Sequence, residues 1–279
     1  MNTLAFSAIV AAASFCAGFL GSLTGLGGGV VIVPLLTLVF GADIRYAIGA
    51  SLVSIIATSS GAAAAYVKEG FTNIRIGMLL EIATTIGALV GASLVAVIPA
   101  NVIAVIFGLV LLQSAYLASK HRPEHATANL APDPLAARLK LDSTYPTVEG
   151  EVPYHVRRVP GGFALMWLAG VLSGLLGIGS GAVKVLAMDQ VMLMPLKVST
   201  ATSNFMIGVT AAASAGIYLR RGYVAPGLAM PVMLGVLAGA MVGARLLFRM
   251  PVRQLRLLFA GVIVILAIEM IYHGIAGEL

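Results

Sequence analysis

An all-α integral membrane protein built from two homologous halves is the fold class this sequence predicts, and three observations carry it. Hydrophobic residues make up 59% of the 279 and charged residues 10%, with a mean hydropathy of +1.02, whereas a soluble domain carries about a quarter charged residues. Uncharged apolar stretches long enough for membrane helices recur at 4–23, 46–67, 102–119 and 198–219. Residues 18–117 also align without gaps on residues 170–269, an offset of 152, with 26 of the 100 pairs identical; this composition gives roughly a tenth by chance.

The alignment divides the chain into a first membrane repeat at 1–119, a polar connector at 120–160 and a second repeat at 161–279. Identities fall on structural punctuation: Gly18/Gly170, Gly25/Gly177, Gly27/Gly179, Gly29/Gly181, Ser51/Ser203, Thr58/Thr210, Tyr66/Tyr218, Gly70/Gly222, Gly87/Gly239 and Pro99/Pro251. The abundant Gly, Ala and Ser in apolar runs suit helices that pack backbone to backbone. With no Lys or Arg before its first apolar run, the N-terminus reads as a membrane helix and not a cleaved signal.

Each repeat breaks into five apolar pieces, at 4–23, 27–40, 46–67, 74–98 and 101–119, then at 161–176, 181–194, 198–219, 225–248 and 252–274. The second piece of each is short: fourteen residues of helix reach only ~21 Å against a ~30 Å hydrocarbon core. It either spans a thinned or water-lined region or re-enters. Ten crossings place twelve Lys and Arg on one side and three (Arg45, Arg220, Arg221) on the other, while re-entrant short pieces give ten against five. The sharper bias favours ten crossings. Five per half is odd, so the repeats are expected to be inverted, with both termini outside and the 120–160 connector in the cytoplasm.

Composition excludes several functions. Cys16 is the only cysteine, so no intramolecular disulfide forms, and a cysteine-based metal site has no support. His121, His125 and His155 are scattered over the connector and read as solvated residues, not ligands. No cofactor is expected. The +6 charge lies mainly in short loops, which orientation explains without a nucleic-acid partner. No Ser/His/Asp, Cys/His or paired-carboxylate set falls within the membrane, so an enzyme is not expected.

The chemistry-bearing motif is Thr24-Gly25-Leu26-Gly27-Gly28-Gly29, echoed by Leu176-Gly177-Ile178-Gly179-Ser180-Gly181. Glycine lets the backbone leave helical geometry and turn N–H groups toward a ligand, and a helix starting there adds positive dipole suited to an anion. Gly-interrupted short segments at matching positions of two halves point to a transporter site, although tight helix packing is the plainer explanation of either copy alone. The third pieces carry Ser51 with Thr58, and Ser203 with Thr210, each pair on one helical face, with Asn204 beside Ser203. Such groups can hold an oxyanion without trapping it.

Four of the charged residues within the apolar pieces bear on function. Lys184, opposite Ile32 in the first repeat, faces protein, water or substrate, either as an anion contact or as an ion pair with Asp189. Glu81 and Arg245 come to similar depth, as an ion pair or with Glu81 as a proton-coupling group. The partners expected are a small anion, a coupling proton or sodium ion, and the lipid bilayer; a homodimer stays open.

The run Gly18-Phe19-Leu20-Gly21-Ser22-Leu23-Thr24-Gly25-Leu26-Gly27-Gly28-Gly29, with Pro34, Gly49-Ala50-Ser51-Leu52 and the second-repeat echo, resembles the TauE/SafE family of sulfite-exporter-like permeases, also called toluenesulfonate uptake permeases. The resemblance covers the chain outside the connector. It implies secondary transport of a small sulfur-containing or carboxylate anion, usually through a bacterial inner membrane. The leading reading of the residues is an ion-coupled carrier, and a passive anion channel, which the same donors could serve, is the alternative. The second motif departs from the first at Ser180 (Gly28) and Leu186 (Pro34), so the two loops are not equivalent.

Overall fold

The computed structural model describes residues 3–24, 29–68, 70–119, 133–147, 150–247 and 252–277; the side chains of 3–4, 21–24, 61–68, 117–119, 182, 244–247 and 252–259 lie outside that description. In chain order the first repeat holds α1 (Thr3–Thr24), α2 (Gly29–Pro34), α3 (Ile44–Lys68), α4 (Ile74–Leu94) and α5 (Ala100–Ser119). The connector holds α6 (Pro134–Arg138) and strands β1 (Ser143–Thr147) and β2 (Gly150–Tyr154). The second repeat holds α7 (Val159–Leu176), α8 (Gly181–Leu186), α9 (Leu196–Arg220), α10 (Pro226–Leu247) and α11 (Val252–Ala276).

Among the described residues three helices, Ile74–Leu94, Val159–Leu176 and Pro226–Gly243, are long and apolar enough to cross a membrane, and five shorter apolar helices accompany them. Met78, Ile82, Leu89 and Val90 of α4 are exposed, as are their equivalents Met230, Leu234, Met241 and Val242 of α10. Apolar side chains turned outward at the same positions of both repeats suit a lipid solvent. The chain is a multi-pass membrane protein.

Glycines set how the helices meet. A Cβ on Gly18 would strike the carbonyl of Val236, and one on Gly170 the carbonyl of Thr84; Gly239 lies on the Phe15 carbonyl as Gly87 lies on that of Trp167. Each contact recurs at the 152-residue offset. Thus α1 packs on α10 as α7 packs on α4, and small residues let these backbones touch. Two further pairings join equivalent helices, α3 with α9 and α5 with α11, and α4 also packs on α9 as α10 packs on α3. Gly49 lies against Tyr223 and Gly208 against Ser59, while Gly108 lies against Ala267 and Gly274 against Asn101. Residue numbers rise in one helix as they fall in the other, so both pairs run antiparallel.

The short second segments are 29–39 and 181–191, each an α-helical turn continued by a π-helical turn, Leu35–Val39 or Ala187–Val191. Eleven residues reach only ~16 Å. The main apolar core gathers α2, α3, α5, α9 and α11, and a second cluster joins α4, α7 and α9 to the connector through Leu141, Tyr154, Met188 and Met206.

The connector adds one non-helical element to the expected all-α fold. Strands β1 and β2 pair antiparallel from Ser143↔Tyr154 to Thr147↔Gly150. Asn73 caps α4 by accepting from Ile76 N and donates from Nδ2 to Leu141 O (2.9 Å) and Tyr154 Oη (2.8 Å). Its backbone N–H donates to Thr202 Oγ1 of α9 (3.1 Å). One buried amide therefore ties connector, α4 and α9 together. His155 lies 3.0 Å from Asp142 Oδ2; His121 and His125 fall outside the described residues. At the other end of α4, Arg45 donates to the carbonyls of Val95 and Ile98, and Arg221 to those of Ala92 and Ser93. These cations occupy the negative end of the helix dipole.

Candidate functional site

The two glycine motifs begin where α1 and α7 stop. Gly177 caps α7 with φ +64°, and Gly179 and Ser180 follow with φ +70° and +46°. Left-handed backbone is open to glycine and costs a residue such as Ser180 about 1 kcal/mol. A Cβ on Gly179 would also come within 2.9 Å of Ile207 Cγ2. Of the first motif, Gly25, Gly27 and Gly28 lie outside the described residues, as does the Thr24 side chain; Gly29 opens α2.

Ser51, wholly buried on α3, brings the motifs together. Its Oγ donates to Gly177 O at 2.7 Å. A Cβ on Gly29 would meet Ser51 Oγ at 2.8 Å and Gly177 O at 3.1 Å. The first residue of α2, a hydroxyl of α3 and the cap of α7 thus share one contact between the repeats. Ser203 makes a longer bond, to Gly181 O at 3.4 Å within its own repeat. Asn204 is half-buried and takes no part in these contacts, being about 100° further round the helix than Ser203. Thr58 turns back on Ser54 O and Ile55 O of its own helix.

Beside this junction lies a water-sized cavity lined by Val30, Val110, Ser114, Ile178, Ser180, Gly181 and Val183. Ser180 Oγ is buried there with no hydrogen-bond partner among the described residues, although a buried hydroxyl ordinarily has one. The cavity joins both repeats, since Val30 and Val110 come from the first and the glycine motif from the second. It is too small to hold an oxyanion.

Lys184, fully buried, stands one residue beyond cavity-lining Val183. Its ammonium donates to Thr210 Oγ1 of α9 at 2.7 Å, and Thr210 Oγ1 donates to Glu81 Oε1 of α4 at 2.8 Å. Thr85 also donates to Glu81 Oε1 (3.0 Å), leaving Oε2 buried with no partner among the described residues. Of the two alternatives for Lys184, an anion contact or an ion pair with Asp189, the structure shows its ammonium bonded to Thr210, while Asp189 accepts from Gln190 Nε2 at 2.6 Å. The Arg245 side chain lies outside the described residues, so its pairing with Glu81 does too. The seven-residue Ser203/Thr210 spacing and the Thr58/Thr210 identity are the sequence signals for Thr210, and nothing in the sequence singles out Ser114 or Thr85. Among the described residues no group of three or more His, Cys, Asp or Glu could hold a metal ion.

A family model described as Sulfite exporter TauE/SafE matches residues 10–270. The chain is similar to the probable membrane transporter protein YunE of Bacillus subtilis, with 30% identity across 93% of this chain and 95% of that one. It is also similar to the probable membrane transporter YdhB of the same organism (29%, covering 85% and 89%) and to MJ0441 of Methanocaldococcus jannaschii (24%, covering 92% of each). No solved structure matches the chain.

Proposed function

Because the chain belongs to the sulfite exporter TauE/SafE family, whose relatives here are named as membrane transporters and not as enzymes, we propose that it moves a small sulfur-containing anion by alternating access. Sulfite, thiosulfate or an organosulfonate fits the donor set, and a proton or sodium gradient supplies the drive. The family description supports the sulfur chemistry, and the residues support the location. The carrying observation is the Ser51–Gly177 bond, which puts the glycine motif of one repeat against the opening of α2 in the other. Backbone N–H groups of the motif, the Ser180 and Ser203 hydroxyls and Lys184 are the donors assigned to the oxyanion, which exchangeable bonds can hold without trapping it.

Inversion of the repeats belongs to the same reading. Equivalent helices that run antiparallel are related by an axis across them, and the antiparallel α3/α9 and α5/α11 pairs support an axis in the membrane plane. Four crossings per repeat would make α3 and α9 parallel; five make them antiparallel, in keeping with the charge bias. Both termini then lie outside the inner membrane, with the connector in the cytoplasm. Rocking one repeat against the other would expose this junction to each side in turn.

Counterflow tests this. Proteoliposomes loaded with unlabelled thiosulfate, sulfite or methanesulfonate should transiently concentrate the same labelled anion, because a carrier exchanges while a channel only equilibrates. Simple equilibration of all three would contradict the carrier reading.

A further inference from the structure

We propose that Glu81 is the proton-binding group of the transport cycle and that its protonation hands Lys184 to the substrate anion. The proposal rests on the anion-transport reading and adds the coupling ion and its charge balance. Lys184 and Glu81 come from α8 and α4 and are joined by one hydroxyl, that of Thr210 on α9. Both stand where the other repeat is apolar, at Ile32 and Met233, so the pair is confined to one side of the junction. A buried carboxylate and ammonium neutralise each other; losing one charge leaves the other in need of a new counter-ion.

Two features make the link reversible. Glu81 Oε2 is buried with no partner among the described residues, so it can take a proton without a bond being broken first. Thr210 Oγ1 has a single proton and two acceptors in reach, Glu81 Oε1 at 2.8 Å and Met206 O at 3.0 Å. When a proton reaches Oε2, the carboxylate becomes a neutral carboxyl and the Thr210 proton can turn to Met206. The Lys184 ammonium keeps its three protons, and the pair rises from zero net charge to plus one. A monovalent anion beside Lys184 restores zero. One proton and one anion therefore travel together, and a divalent anion carries one net negative charge. The other charges near Glu81 among the described residues do not compete: α7 carries none, Arg75 starts α4 and bonds to Lys140 O, Lys197 and Arg220 lie at the two ends of α9, and buried Asp189 is bonded to Gln190.

The test uses thiosulfate, which does not titrate near neutral pH, in proteoliposomes of the full chain. Wild type should show counterflow that weakens as pH rises, and should accumulate thiosulfate in a pH gradient. E81Q fixes the pair in its proton-loaded charge: counterflow should become flat with pH, and gradient-driven accumulation should fall about tenfold or more, a coupling worth ~1.4 kcal/mol or more. T210V, which cuts the link and keeps both charges, should weaken coupling, and T210S should restore it. Undiminished pH-driven accumulation by E81Q, or by T210V if E81Q does not fold, would overturn the proposal. Loss of counterflow in folded E81Q would also overturn it, by making Glu81 structural. Absence of counterflow in wild type would instead remove the transport reading for this anion, and the coupling with it.

Discussion

Ser51 Oγ lies 2.7 Å from the carbonyl oxygen of Gly177 and donates to it, bonding the third helix of one repeat to the glycine motif of the other. Removing the hydroxyl strands a buried carbonyl, at a cost of about 1–3 kcal/mol. Ser51→Ala should therefore lower thermal stability by that order and slow thiosulfate counterflow, while Ser54→Ala, which removes a bond inside α3, should affect flux less. Equal effects on flux would take the Ser51 contact out of the site.

Gly18 and Gly170 occupy equivalent crossings, against Val236 and Thr84. Alanine at either forces α1 from α10 or α7 from α4, an overpacking that costs roughly 1–3 kcal/mol. Gly18→Ala and Gly170→Ala should shift the melting temperature in detergent by similar amounts. Gly216→Ala, with open space around it inside α9, should not lower it and should raise it slightly through helix propensity. Unequal shifts at the two crossings would show that the repeats do not pack alike.

Those crossings are also the part of the fold most legible in the sequence. The ungapped 152-residue register anticipates that both repeats make the same contacts, because glycines retained at one offset mark backbones that must touch. The short second segments are legible from their length. The partner of Lys184 is not: Asp189 is closer in sequence, but the linked residues Thr210 and Glu81 lie on two other helices, and no periodicity reports a tertiary contact. The hairpin escapes for a different reason. Pro146 and Pro153 lie within the strands, and a two-stranded ribbon, having only edge strands, tolerates proline, with Tyr154 anchored by Asn73.

Arg75 and Gly227 are exposed, equivalent positions at the starts of α4 and α10. In a Cys16→Ser background, Arg75→Cys and Gly227→Cys should react with an impermeant maleimide from opposite faces of the membrane. Reaction from one shared face would contradict inversion.

Burial raises the Tyr154 phenol from its ordinary 10.0 to about 12. The folded connector thus favours the neutral ring relative to the unfolded chain. That stability is whole below about pH 10 and is lost as pH rises from there toward 12. Thermal midpoints should fall across this window, and less so in Tyr154→Phe. Equal falls in both proteins would mean that the connector does not depend on this ring.

The proposed transport cycle uses a single anion site between two inverted repeats, opened to one side at a time. Ser180, buried and facing the cavity, is the place to test it, by Ser180→Cys in the Cys16→Ser background. An impermeant maleimide should label this cysteine when applied from either face, and thiosulfate should slow the labelling from both. Labelling from one face only, or at a rate indifferent to the anion, would contradict the account.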